Sequence, residues 1–187
     1  MPKLNFTLFT LYESKYKKED GEYWTRVLKW NRHSDLQLLS FLGVDQKFWK
    51  IESGLNDSAQ KDVHFSEGKE LFLEKLRHNL ISIFNYLAVE MLQQLKTTFT
   101  PYEKLEVLLK TVKEINKVIG QKFWSMDEIF PVILYVVVRA RVLQLGAEIQ
   151  MIEDLGDAHL FIGEYGFYFT TLKATYCQIL KESVSMS

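Results

Sequence analysis

SMDEIFPVILYVVVRAR, residues Ser125 to Arg141, is the stretch on which the fold turns. Its middle, Ile129 to Val138, is ten apolar residues in a row. A helix that crosses a membrane needs about twenty, so this run reads as a core helix of a folded domain. Ser125 and Glu128 stand three apart, the spacing of a capping box at a helix start. Arg139 and Arg141 fall near its far end, where the helix dipole favours cations. Pro131 sits inside the pattern. It has no N–H to give the carbonyl of Asp127, and its ring crowds that carbonyl, so the backbone is expected to bend or restart there. A helix this apolar has to be wrapped by others.

The rest of the chain supplies them. Leu73, Leu76, Leu80, Ile83, Phe84, Leu87, Met91 and Leu95 recur at steps of three and four, tracing one face of a helix from about Ser66 to Lys96. Thr100-Pro101 opens a further helix, with Glu103 completing a capping box and Gly120 just past its last apolar residue. Another spans roughly Leu145 to Leu155, stopped by Gly156, and a last one runs from Gly163 or Glu164 to Lys181. The first 55 residues read as shorter helices. One covers much of Leu4 to Trp30 with a break expected near Asp20-Gly21. Ser34 and Gln37 cap another that ends at Gly43, and Asp45 caps a turn holding Phe48 and Trp49. The predicted fold class is all-α: a layered helical bundle over residues 66–182 with a small N-terminal annex over 1–55. The polar stretch Glu52 to His64 suggests a linker at 56–65, and Ser183 to Ser187 reads as a frayed tail.

Composition removes several classes of function. Lys plus Arg is 23 and Asp plus Glu is 24, a net charge of −1. That balance argues against non-specific binding to nucleic acid or to an anionic membrane surface. Cys177 is alone, which rules out an internal disulfide and favours a reducing compartment. Met1 to Thr10 lacks the long apolar core of a secretory signal, so a cytoplasmic protein is expected. Phe, Tyr and Trp make up 14% of the chain.

Enzyme signatures are missing. The sequence has no GxxxxGK[ST], no HExxH and no GxSxG. His33, His64, His78 and His159 are scattered, and no cofactor or metal set is expected. Glu148, Glu153, Asp154 and Asp157 read as a solvated helix face. Two segments hold interest. Asp127 and Glu128 put acid at the mouth of the buried helix, either as ordinary dipole and cap residues or as a presented charge. In Gly163 to Thr171 (GEYGFYFTT), two glycines three apart precede a dense aromatic group. Four aromatics in five residues are hard to bury on one face, so at least one is expected outside as an anchor for a partner.

Together these segments resemble the vacuolar-protein-sorting-nine (VPS-nine) domain, a guanine-nucleotide exchange module for early-endosomal Rab GTPases. The family pattern of an acidic pair, Pro and an apolar run reads here as Asp127-Glu128, Pro131 and VILYVVVRA. The later Gly-Glu, aromatic pair and Thr-x-Leu read as Gly163-Glu164, Phe167-Tyr168, Thr170 and Leu172. Thr100-Pro101-x-x-Lys104-Leu105 matches upstream. The resemblance implies that Asp127 is an acidic finger that enters the nucleotide site of the GTPase and promotes release of GDP. It implies that Pro131 shapes the finger's base, that Tyr168 contacts the switch region and is the aromatic to place on the surface, and that Thr170 lies at the interface. Glu164 is expected to stabilise the turn. Phe167 stands where Tyr is commoner. The implied partner is a Rab of the early-endosomal, Rab-five subfamily, and the implied location is cytoplasmic with peripheral recruitment to early endosomes. No covalent chemistry is required of the chain. The alternative is a non-catalytic helical interaction or oligomerisation module. The annex, rich in Trp24, Trp30 and Trp49, could pack on the main domain or support a homo-oligomer.

Overall fold

A computed structural model describes residues 2–48, 86–119 and 124–182. All regular structure among them is helical. The order is α1 (Pro2–Trp30), α2 (Asp35–Phe41), a 3₁₀ turn (Gln46–Phe48), α3 (86–93) and a second 3₁₀ turn (Gln94–Thr97). It continues with α4 (Pro101–Ile119), α5 (Met126–Ala140), α6 (Leu145–Leu155), a third 3₁₀ turn (Ala158–Phe161) and α7 (Glu164–Lys181). The first two-thirds of the helix expected over 66–96, the linker, Trp49, Gly120 and the tail lie outside the described residues.

The centre is α5. Ile129, the run Pro131 to Val138 and Ala140 are buried. Helix α7 packs on α5 and also meets α1, α4 and α6, while α2 and α1 close other sides of α5. The capping signals act as read. Thr100 Oγ1 accepts the Glu103 N–H at 3.2 Å while Glu103 Oε2 accepts the Thr100 N–H at 3.0 Å. Ser34 and Ser125 head complete capping boxes with Gln37 and Glu128. Pro131 does not restart its helix. It lies buried in an α5 that runs continuously from Met126 to Ala140.

The expected break at Asp20-Gly21 is also absent. Helix α1 passes through both residues, and the reason is what Asp20 does. Its Oδ1 accepts the Gly146 N–H at 2.7 Å and the Tyr176 hydroxyl at 2.9 Å, and its Oδ2 accepts the Ala147 N–H at 3.2 Å. The carboxylate therefore satisfies two donors of the first turn of α6 from another helix. Burial nonetheless pushes its carboxyl above the ordinary range, against those hydrogen bonds. This tertiary contact outweighs the roughly 1 kcal/mol by which a helical glycine is disfavoured. Tyr23, Val27 and Trp30 of α1 join the same core as α5 and α7, so the N-terminal helices pack into the main body.

Two further polar links fix the frame. Lys104 is buried and donates to the carbonyls of Leu95 at 2.8 Å and Thr98 at 2.7 Å, and it pairs with Glu148 at 2.5 Å. The ammonium thus gives two hydrogen bonds to carbonyls and faces one carboxylate as its counter-charge. Glu148 is thus not on a solvated face, as its acidic neighbours suggested. It is the interior partner of Lys104, and burial pushes its carboxyl up to about 7 despite the pull of that lysine. At the other end of α5, Arg139 pairs with Asp35 at 2.7 Å and donates to the His33 carbonyl at 2.9 Å. Tyr135 donates to the same carboxylate at 2.7 Å.

Gly146 is required where it stands. A Cβ there would lie 2.3 Å from Tyr176 Oη and 2.7 Å from Asp20 Oδ1. Gly146→Ala is expected to lower stability by about 1–3 kcal/mol, read as a lower urea midpoint. An unchanged midpoint contradicts the Asp20 clamp.

Candidate functional site

The site begins at the first turn of α5. Ser125 is the N-cap with an extended backbone, φ −74° and ψ 159°. Glu128, at the third helical position, has both carboxylate oxygens engaged. Oε2 accepts the Ser125 N–H at 3.1 Å and the Ser125 hydroxyl at 3.0 Å, and Oε1 takes the Lys47 ammonium in an ion pair. The Lys47 hydrogen bond, with the Ser125 contacts behind it, holds the Glu128 carboxyl down at about 2. Asp127 differs. It is exposed, and among the described residues it makes no hydrogen bond or ion pair. Its backbone carbonyl, denied a donor by Pro131, is also left without the usual helical bond. Of two adjacent acids, one is consumed by the cap and the other is presented.

Lys47 comes from the N-terminal region. Asp45 Oδ1 accepts the Lys47 N–H at 2.9 Å, which shapes the turn as read from the sequence. The turn then docks on the approach to α5. The Phe48 ring lies 4.9 Å from that of Trp124, and the Lys47 ammonium sits 4.6 Å above Phe48. Trp124 in turn donates its indole N–H to Asn116 of α4. The residues just before the acidic pair are therefore held from both sides.

The second segment lies at the start of α7. Gly163 has a positive φ of 70°, and a Cβ on Gly166 would fall 2.0 Å from the Phe161 carbonyl oxygen. One glycine makes the turn and the other permits close backbone approach. Tyr165 donates to Glu106 of α4, and Phe161 packs on Phe169 at 5.3 Å. Thr171 is buried and donates to the Phe167 carbonyl at 2.9 Å, with Met126 Sδ 3.6 Å from the same hydroxyl. That contact ties the start of α7 to the start of α5.

Tyr168 is not the surface aromatic. It is 8% exposed, while Phe167 beside it is 36% exposed. Helical periodicity explains the exchange. Tyr168 shares an inward stripe with Leu172, Thr175 and Ile179, whereas Phe167 shares an outward one with Thr170 and Ala174. Tyr168 packs edge-on against Phe167 at 5.2 Å and supports it from beneath. Thr170 is exposed, as an interface residue must be, and Glu164 is exposed in the first turn of α7. Pro131 is buried and offers no surface of its own. The outer face thus carries Asp127, Met126 and Phe167. Phe167 could have been found by counting the α7 stripe. Lys47 could not, since it meets Glu128 across 81 positions of sequence.

The model of the vacuolar sorting protein 9 (VPS9) domain matches residues 85–183, a range that takes in Asp127, Pro131 and the whole of α7. The chain belongs to the VPS9 domain family. Alsin of Rattus norvegicus is 42% identical over 190 residues, covering 99% of this chain and 11% of alsin. Human alsin is 41% identical over 196 residues with the same coverage. The human ALS2 C-terminal-like protein is 34% identical over 192 residues, covering all of this chain and 18% of that protein. The chain therefore spans between a tenth and a fifth of the length of these relatives. The similarity to alsin extends over α1, α2 and the Lys47 turn, whereas the VPS9 match begins at residue 85.

The pairing of Glu128 should be visible in its titration. In a carbon-detected titration the Glu128 carboxyl is expected at about 2. Because this value is depressed, the carboxylate's contribution to stability is complete above the unfolded value of about 4.3 and is lost as pH falls toward the folded one. Lys47→Ala should move the titration upward. An ordinary Glu value in the unmutated chain contradicts the pairing.

Proposed function

We propose that this chain is a guanine-nucleotide exchange factor for small GTPases of the early-endosomal Rab-five subfamily, with Asp127 as its acidic finger. Membership of the VPS9 family supports exchange on a GTPase. The observation that carries the residue assignment is the division of labour in the acidic pair. Glu128 is spent on Ser125 and Lys47, and Asp127 stands exposed.

An exchange factor works by binding the nucleotide-free GTPase better than the GDP-bound one. A carboxylate brought into the nucleotide site offers the GTPase's P-loop lysine an alternative to phosphate. It also disturbs the metal that bridges lysine-bound phosphate and protein. Both effects weaken GDP, and Asp127 never forms a covalent bond. The first turn of a buried helix suits the task, because the charge rides on a backbone that cannot easily retreat. Around it, Phe167 and Met126 supply apolar contact with the switch surface, and Thr170 adds a hydroxyl at the rim. Tyr168 acts through Phe167, Pro131 shapes the base of the finger, and Glu164 steadies the turn into α7. The balanced net charge of −1 argues against recruitment by non-specific attraction to anionic lipid. Recruitment from the cytoplasm to early endosomes would then run through protein partners.

Release of a fluorescent GDP from an early-endosomal Rab tests the assignment. Asp127→Asn should slow release at saturating chain by roughly thirtyfold or more, the scale for losing one member of an interfacial charge pair. Equal rates refute Asp127 as the finger. Release no faster than a blank by the unmutated chain refutes exchange altogether and leaves a helical interaction module. Phe167→Ala should act on binding instead, raising the half-saturating concentration about tenfold, as for an aromatic anchor. No change in half-saturation would remove Phe167 from the interface.

A further inference from the structure

Met126 is the first residue of α5, directly before Asp127, and it shares the outer face with Phe167. It is 41% exposed, whereas Met151 is buried and Met91 half-buried. Among the described methionines it is therefore the most open to an oxidant in water. Its sulfur also touches a buried polar group. Sδ lies 3.6 Å from the hydroxyl of Thr171, and that hydroxyl donates to the Phe167 carbonyl at 2.9 Å. A hydroxyl has one proton to give, and a thioether is a weak acceptor that leaves it with the carbonyl. Oxygen on the sulfur changes this. A sulfoxide is polar and loses the soft apolar contact of a thioether. Its oxygen would also compete with the Phe167 carbonyl for the Thr171 proton. One modification thus reaches two apolar contacts of the face, Met126 directly and Phe167 through Thr171.

We propose that Met126 is a site of reversible sulfoxidation that weakens the hold of the chain on its GTPase. The proposal rests on the exchange reading and adds a means of regulating it. The oxidant is hydrogen peroxide. A lone pair of Sδ attacks one peroxide oxygen, and an S–O bond forms as the O–O bond breaks. The departing hydroxide takes the proton of the transferred oxygen and leaves as water, so sulfur is oxidised and peroxide reduced. A methionine sulfoxide reductase reverses the step, with two thiols becoming a disulfide and the oxygen leaving as water. Asp127 keeps its charge throughout, so the change falls on binding rather than on the release step.

For the test, the full chain is treated with hydrogen peroxide, freed of it, and kept in dithiothreitol. That reductant reverses sulfenic acid or disulfide at the exposed Cys177 and leaves a sulfoxide in place. Peptide mass mapping reads the sulfoxide at Met126, Met91 and Met151. Release of fluorescent GDP from an early-endosomal Rab is resolved into the saturating rate and the half-saturating concentration. Met126 should oxidise ahead of the other two. Half-saturation should rise about fivefold as its sulfoxide accumulates, the scale of a significant interface contact, and the saturating rate should hold. Methionine sulfoxide reductases for both epimers should restore the original value. In Met126→Leu, compared with itself before treatment, peroxide should change neither quantity. Oxidation of Met126 no faster than that of Met151 overturns the proposal. So does a half-saturation that stays fixed as Met126 sulfoxide forms, or a rise that Met126→Leu shows as well. An untreated chain that releases no GDP refutes the exchange reading, and the regulatory role with it. Circular dichroism of treated and untreated chain separates these results from loss of fold.

Discussion

A helix buried on almost every side can show charge at only one place. From Ile129 to Ala140, α5 is enclosed by α1, α2 and α7, and its far end is held by Asp35 and the loop carbonyls through Arg139. Water reaches it chiefly at its first turn. Any polar function carried by this helix must therefore sit at Met126, Asp127 and Glu128. There the positive end of the dipole and the free N–H groups already favour an anion. Glu128 takes up that favourable field together with Ser125, and Asp127 remains over. The site follows from how thoroughly the rest of the helix is buried.

That burial is secured by ionic and polar contacts in the interior. Asp20 reaches from α1 to the start of α6, and Lys104 reaches from α4 to Glu148 on α6 and to the carbonyls behind α3. Such groups seldom stabilise relative to apolar replacements, but removing one partner leaves a buried charge or donor unanswered. Their effect is to fix register. Asp20 fits only beside a glycine at 146, and that places α1 along α6 in one position. The N-terminal helices follow, and with them the turn that brings Lys47 to α5.

Much of this was legible in the sequence. Capping boxes at Ser34, Thr100 and Ser125 act through hydrogen bonds between residues three apart, so spacing alone locates them. The long apolar run announced a core helix. Local rules failed where a distant residue decided the outcome. Asp20-Gly21 reads as a break until Gly146 and Tyr176 are brought to it, and Glu148 reads as solvated until Lys104 arrives. Pro131 reads as an interruption, yet packing keeps the helix whole. The candidate site divides the same way. Asp127 could be chosen as the exposed acid on pattern and resemblance. Tyr168 reads as the surface aromatic from the resemblance, yet the α7 stripe through Leu172, Thr175 and Ile179 turns it inward and leaves Phe167 outside. Lys47 carries no local signal at all.

On the proposed exchange reading, one unengaged carboxylate, set at the mouth of a buried helix, gives the chain its preference for a GTPase that has lost its nucleotide. The most direct measurement is the affinity of the chain for an early-endosomal Rab in its nucleotide-free and GDP-loaded forms, made with Asp127 intact and with Asp127→Asn. The account predicts tighter binding to the nucleotide-free form and a gap that shrinks when Asp127 loses its charge, chiefly through weaker binding to that form. Equal affinity of the unmutated chain for the two forms, or a gap untouched by the substitution, would contradict it.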